Sequence, residues 1–283
     1  MCGIIAAAST RNVGKLLVQG LHRMEYRGYD SAGIALHQLD EVAHLRTLGK
    51  VQLLEDRMIE EKPRSKLGIA HTRWATHGEP SETNAHPHKS NDEVFIVHNG
   101  IIENHLELKA ELEKEGYSFA SQTDSEIIAH LLDFNLKQGM TMIEAMFVSK
   151  EKLDGAYAIA AMHRDDESKL VIARQKSPLL IGLGTDEVFA ASDPLAISQL
   201  TNDFIFLEDG DVAEISADTY KIFDAVNSEA SREVSRIDIS SQATSKGEYR
   251  HFMEKEIYEQ PDALLNTIDG RISGEDVLDN IFG

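Results

Sequence analysis

Met1-Cys2-Gly3-Ile4-Ile5-Ala6-Ala7-Ala8-Ser9 opens the chain. The apolar run from Ile4 to Ala8 is too short for a signal-peptide core or a membrane span. Bounded by Gly3 and Ser9, it reads as a strand. Cys2 therefore stands one residue before the first strand and directly after the initiator methionine. It is the single cysteine among 283 residues. It cannot form an internal disulfide, nor supply a multi-thiolate zinc site or an iron–sulfur cluster. A small second residue leads to removal of Met1 by the cell's aminopeptidase, which leaves Cys2 with a free α-amine. With a pKa of about 7.7–8.0, that amine can serve as general base for the thiol on its own residue. An isolated cysteine at position 2 can equally be an accident, so the reading has to be carried outward.

Beyond the first strand, Ser31–His37, Lys66–Trp74 and Val94–Asn99 also read as strands. Val13, Leu16, Leu17, Gly20, Leu21 and Met24 recur at helical spacing, with Asn12 as N-cap. A second helix runs from Asn104 to Glu115 and stops at Gly116. Thr123-Asp-Ser-Glu126 has the spacing of a capping box and opens a third, which Gly139 ends. Thr141 and Glu144 open a fourth in the same way. Strands return at Gly155–Met162, Lys169–Arg174, Leu179–Leu183 and Glu187–Ala191. Phe204–Leu207 and Val212–Ile215 flank Glu208-Asp209-Gly210-Asp211, a hairpin signal, and Tyr220–Phe223 adds an edge strand. Two sheets with a helical layer outside each predict a four-layer α+β domain, an αββα sandwich, over residues 2–225. Residues 226–246 are Ser-rich and charged and read as a linker. Residues 247–283 begin with helical character over Tyr249–Gln260, which Pro261 ends or kinks.

Composition narrows the function classes. Hydrophobic residues make up 42% of the chain, enough for a packed core, and the formal net charge is −20. A chain this acidic repels phosphate backbones and anionic lipid surfaces, so neither nucleic acid nor a membrane is an expected partner. With no targeting segment and a lone reduced thiol, the default compartment is the cytoplasm.

Four further features can carry chemistry. His71-Thr-Arg73-Trp74-Ala-Thr76-His77-Gly78 leaves a predicted strand; Arg73 offers a planar fork for a carboxylate, and on its own reads as a surface ion-pair partner. Trp74, the single tryptophan, can cover a ligand or fill core. His98-Asn99-Gly100 ends an apolar strand; an Asn amide beside a Gly N–H suits an oxyanion hole, and on its own is a turn. Asp124 can bind an ammonium group or cap a helix. His71, His77, His86, His88 and His98 are dense enough to raise the question of metal, yet they lack a ligand pattern, so no metal is expected. Gly182 and Gly184 make no nucleotide fingerprint, and no cofactor is expected.

In combination these segments are specific. Met1-Cys-Gly-Ile-Ile5, Tyr26-Arg27-Gly28-Tyr-Asp-Ser-Ala-Gly33, Gly68 to Gly78, Asn84-Ala-His86-Pro-His88, His98 to Asn104 and Thr123-Asp124 occur in that order. The chain resembles the class II, N-terminal-nucleophile glutamine amidotransferases, and most narrowly the glutaminase half of the glucosamine-6-phosphate synthase branch. The segment Lys246 to Pro261 strengthens that narrower likeness. The resemblance implies the N-terminal-nucleophile hydrolase fold and hydrolysis of L-glutamine to glutamate and ammonia. In it Cys2 is the nucleophile, and Asn99 and Gly100 hold the oxyanion. Arg73 takes the α-carboxylate and Asp124 the α-ammonium. Trp74, Thr76 and His77 lie on a loop over the substrate, with Arg27, Gly28 and His86 as possible support.

The family's sugar isomerase (SIS) half, which binds fructose-6-phosphate, is missing, so residues 247–283 are expected to be its start. The chain then reads as a fragment that is monomeric alone and part of a homodimer in the full enzyme. The alternatives are the glutaminase of another amidotransferase, such as amidophosphoribosyltransferase, or a glutamine-binding module without turnover.

Overall fold

The computed structural model describes residues 2–39, 41–237 and 249–268, with the short strands Ile272–Ser273 and Asp276–Val277. Met1 lies outside the described residues. Two compact units divide the chain, Met1–Ile239 and Ser240–Gly283.

In the first unit the order is β1 (Gly3–Ser9), α1 (Gly14–Arg23), β2 (Ser31–His37), β3 (Val42–Leu48), α2 (Val51–Glu61), β4 (Leu67–Arg73), β5 (His88–Ser90) and β6 (Val94–Ile102). There follow α3 (His105–Lys114), α4 (Glu126–Lys137), α5 (Met142–Lys150), β7 (Gly155–His163), β8 (Leu170–Gln175), β9 (Leu180–Leu183) and β10 (Glu187–Ala191). The unit closes with β11 (Asp203–Phe206), β12 (Val212–Ile215), β13 (Tyr220–Phe223), β14 (Glu229–Ala230) and β15 (Val234–Arg236). One sheet runs β15-β11-β9-β10-β1-β4-β2-β3, the other β14-β13-β12-β8-β7-β6-β5.

Alternation along each strand explains the layering. Ile4, Ala6 and Ala8 of β1 share one apolar layer with Leu67 and Ile69 of β4, Phe95 and Val97 of β6, and Ala158 and Ala160 of β7. Ile5 and Ala7 face the other way, onto Leu17, Val18 and Leu21 of α1 and Leu54 of α2. Ile96, Ile159 and Ala161 likewise meet Ile127, Ile128 and Leu131 of α4 and Ala145 and Met146 of α5. The result is the four-layer αββα sandwich. A strand buried on both faces has no polar alternation, which is why β1 reads as a continuous apolar run.

Several local expectations are corrected. Val13 caps α1; Asn12 instead accepts from Gly14 N at 3.4 Å and Ser65 N at 3.1 Å. Ser125 precedes α4 without a side-chain cap. The Glu126 carboxylate turns back to accept from the N–H groups of Ala120 (2.9 Å) and Ser121 (2.7 Å), so Thr123-x-x-Glu126 is not a capping box. Thr141 and Glu144 do form one. Asp209-Gly210 is a tight turn, yet it joins β11 of one sheet to β12 of the other, not two arms of a hairpin. The Tyr220–Phe223 strand is not the edge, because β14 pairs outside it. β14 and β15 fall within the stretch read as linker; their charged, small-residue sequence is that of sheet edges. β3, α2 and β5 were not anticipated.

In the second unit a sixth helix, α6 (Phe252–Ile268), continues through Pro261 and does not end there. Tyr249 and Tyr258 stack with ring centroids 5.7 Å apart.

Candidate active site

The rows facing the layer between the sheets turn polar at one end. On β1 the inward row is Ile4, Ala6, Ala8, and Cys2 continues its alternation. On β4 it is Leu67, Ile69, then His71 and Arg73. On β6 it is Phe95, Val97, then Asn99. Because β1 and β4 are antiparallel with Gly3 opposite Thr72, the start of β1 lies beside the end of β4. Cys2, His71 and Asn99 are thereby gathered at one end of an apolar sandwich.

Contacts make the grouping specific. Trp74 N–H donates to Cys2 Sγ at 3.2 Å. Cys2 is half-buried, and burial pushes its thiol above the ordinary value, opposed by the Trp74 N–H. Asn99 Nδ2 and Arg27 Nη1 each donate to the Cys2 carbonyl at 3.3 Å. Behind Asn99, His71 Nε2 lies 2.9 Å from Oδ1. Arg27 is paired with Asp193, whose carboxylate also accepts from Tyr26 Oη at 2.5 Å.

Two glycines are required by this packing. Gly28 has φ +72, and a Cβ there would sit 2.6 Å from Trp74 Cζ3; Gly100 has φ +135, and a Cβ would meet Ala156 O at 1.9 Å.

Arg73 is buried and donates to the carbonyls of His77 (2.5 Å), Gly78 (3.1 Å) and Glu79 (3.3 Å). It thereby holds the loop that follows β4, and Asp30 faces it at 3.7 Å. Trp74 is 53% exposed, so it is not core. Thr76 is exposed and His77 half-buried, the latter's ring 5.4 Å from that of His105. Asp124 is buried and accepts from Ile102 N–H through Oδ2 at 2.7 Å.

His86 lies inside, its ring centroid 4.1 Å from that of His71 and 4.5 Å from that of His88. Both its ring nitrogens are buried without a hydrogen bond, and burial drives its pKa well below the ordinary range. Among the described residues no group of His, Cys, Asp and Glu is disposed to hold a metal. Recesses of about 620 and 530 Å³ exist, but Cys2, Arg73 and Asn99 line neither. Chemistry, not concavity, marks the site.

Sequence reasoning missed His71 as a partner of Asn99, and Asp193 and Asp30 as partners of the two arginines. His71 was recoverable from its parity with Leu67 and Ile69. Asp193 carries no local signal, being 166 residues from Arg27.

A thiol at the first strand's start, facing an amide donor across a two-sheet sandwich, is the arrangement of the N-terminal-nucleophile hydrolase fold. Residues 71–199 match the family described as the glutamine amidotransferase domain. Over its full length it is 50% identical to the glutamine–fructose-6-phosphate aminotransferase [isomerizing] of Vibrio parahaemolyticus, and equally to that of Haemophilus influenzae. The chain spans 46% of the length of these relatives. Among solved structures, the glutamine phosphoribosylpyrophosphate amidotransferase of B. subtilis superposes with a TM-score of 0.69 at 25% identity, covering 79% of this chain and 49% of that one. No helix among the described residues is long and apolar enough to cross a membrane.

Proposed function

We propose that this chain hydrolyses the side-chain amide of L-glutamine to glutamate and ammonia through a thioester on Cys2. The observation that carries the reading is the meeting of Cys2 with the Trp74 N–H and the Asn99 amide at one end of the sandwich. Loss of Met1 frees the α-amine of Cys2, which takes the thiol proton as sulfur attacks the amide carbon. Asn99 Nδ2 and Gly100 N–H stabilise the oxyanion, a contribution worth about 10²–10³ in rate per donor. The proton then passes to the leaving nitrogen, ammonia departs, and water hydrolyses the thioester with the same amine as base.

Arg73 receives the α-carboxylate of glutamine and, in its absence, latches the loop by carbonyls. Asp124 binds the α-ammonium through the oxygen not used by Ile102. Trp74, Thr76 and His77 lie over the substrate. Arg27 and Gly28 keep Cys2 and Trp74 in register, and His86 packs behind His71.

The whole-protein activity we propose is transfer of that ammonia to fructose-6-phosphate, giving glucosamine-6-phosphate in the cytoplasm by a homodimer. Residues 2–225 would be the amidotransferase domain, and 247–283 would begin the sugar isomerase half. Identity of 50% to the aminotransferases against 25% to the phosphoribosyl enzyme favours this substrate.

The test is glutamate release from glutamine by protein whose N-terminal mass shows Met1 removed. Wild type should turn over and Cys2→Ala should not. Equal release by both removes the proposal. A longer chain carrying the downstream sequence should aminate fructose-6-phosphate.

A further inference from the structure

We infer that His71 is a positioning residue for this reaction: its Nε2–H holds Asn99 in the one amide orientation that turns Nδ2 toward Cys2. The inference rests on the glutaminase reading above. An asparagine amide can exchange its oxygen and nitrogen by a half-turn, and its partners decide which end faces where. On one side of Asn99 stands the Cys2 carbonyl, at 3.3 Å, which can only accept. Nδ2 must face it. On the other side His71 Nε2 lies 2.9 Å from Oδ1. An oxygen there needs a donor, so Nε2 carries the proton.

The rest of the ring agrees. Nδ1 of His71 is buried without a hydrogen-bond partner, as fits a neutral imidazole with its single N–H committed to Asn99. Complete burial keeps the ring neutral, with its pKa pushed down to about 3. The His86 ring, 4.1 Å away, packs against it and restricts its rotation. Were the amide flipped, Oδ1 would oppose the Cys2 carbonyl, and no side-chain donor would face the reacting carbon. His71 touches Asn99 and never the substrate.

The experiment compares wild type, H71F, H71Q, N99A and H71F/N99A, all with Met1 removed. Each is assayed for kcat and KM with glutamine and for alkylation of Cys2 by iodoacetamide. That alkylation is displacement at a saturated carbon and develops no oxyanion, so it reports the nucleophile alone. H71F is expected to lower kcat at least about tenfold, within the 10²–10³ ceiling of a lost donor. Its KM and alkylation rate should stay within about twofold of wild type. H71Q, whose amide can present an N–H near the position of Nε2, should recover most of the loss. On the N99A background H71F should cost nothing further, because the two residues act as one unit.

Additive losses in the double variant overturn the inference. So does an alkylation rate that collapses with kcat in H71F, or an H71Q no better than H71F. Absence of glutamate release by wild type overturns the glutaminase reading itself and this inference with it, whereas undiminished release by N99A overturns the oxyanion role of Asn99 and this inference alone.

Discussion

At the scale of single residues, the roles proposed for Cys2 and the Asn99-Gly100 pair rest on local chemistry visible in the sequence: position 2 would give the amine once Met1 is lost, and adjacency would give the two donors. Of their supports, parity places His71 on the inward row, but the pairings themselves could not be read. Arg27 is tied to Asp193 and Asn99 to His71 across the fold, and no spacing rule encodes such pairs. Gly28 lies between these cases. A glycine after Arg27 is visible, but its reason is the Trp74 ring against its Cα and a φ of +72. Gly28→Ala should therefore cost about 1–3 kcal/mol of stability through its backbone conformation alone, φ +72 with ψ 145, and displace Trp74, whose N–H holds the sulfur. Trp74 is the single tryptophan, so its emission reads the displacement directly. An unshifted emission spectrum together with an unchanged denaturation midpoint would sink this account of Gly28.

Among elements, legibility depended on how much apolar periodicity each carried. β1, β2, β4 and β7 are apolar on both faces and stand out. β3, with the sequence Val-Ala-His-Leu-Arg-Thr-Leu, is the outermost strand of its sheet and half-exposed. α2 buries only Val51 and Leu54. Neither offers enough signal to separate it from loop. The pattern Thr-x-x-Glu shows the limit of motif reading most clearly, since it precedes both α4 and α5 and caps only α5. Thr141 Oγ1 accepts from Glu144 N and the Glu144 carboxylate accepts from Thr141 N at 2.8 Å, a complete box. Thr123 Oγ1 goes to His88 Nε2 at 3.0 Å, and Glu126 goes to the loop before it. Tertiary partners outbid the local cap in the second case because His88 and Ser121 are buried beside it. Thr141→Ala should cost about 1 kcal/mol, the usual worth of a lost N-cap, and leave kcat untouched, α5 lying on the face away from Cys2. Chemical denaturation paired with the glutamine assay checks both halves. Loss of activity in folded Thr141→Ala would mean that α5 reaches the site.

For the molecule as a whole, the two-sheet architecture was legible because alternating strand and helix patterns need two apolar sheet faces and two helical covers. What linked the sheets was not, since β11 and β12 share a turn but not a sheet. The dense histidines were legible only as a question about metal. The structure gives them another physical meaning. His71, His86 and His88 are buried together at the polar end of the inter-sheet layer, and burial lowers His71 and His88 to about 3 and His86 well below its ordinary value. In the unfolded chain each titrates near 6.5. As pH falls through 6.5 the unfolded state takes up protons that the folded state refuses, so stability is full above that pH and is lost as pH falls toward 3. The slope is up to about 1.4 kcal/mol per histidine per pH unit. Glu126, held down to about 2 by Ser121, Ala120 and His130 despite its burial, adds to the loss only below its unfolded value of about 4.3. The window from 6.5 to about 4.5 therefore belongs to the histidines. The melting temperature should fall steadily between pH 7 and pH 5, and His86→Met, which removes an imidazole with no hydrogen bond, should flatten that fall while leaving stability at pH 7.5 unchanged or higher. Parallel melting curves for wild type and His86→Met across this range would show that the buried histidines do not set the acid limit of the fold.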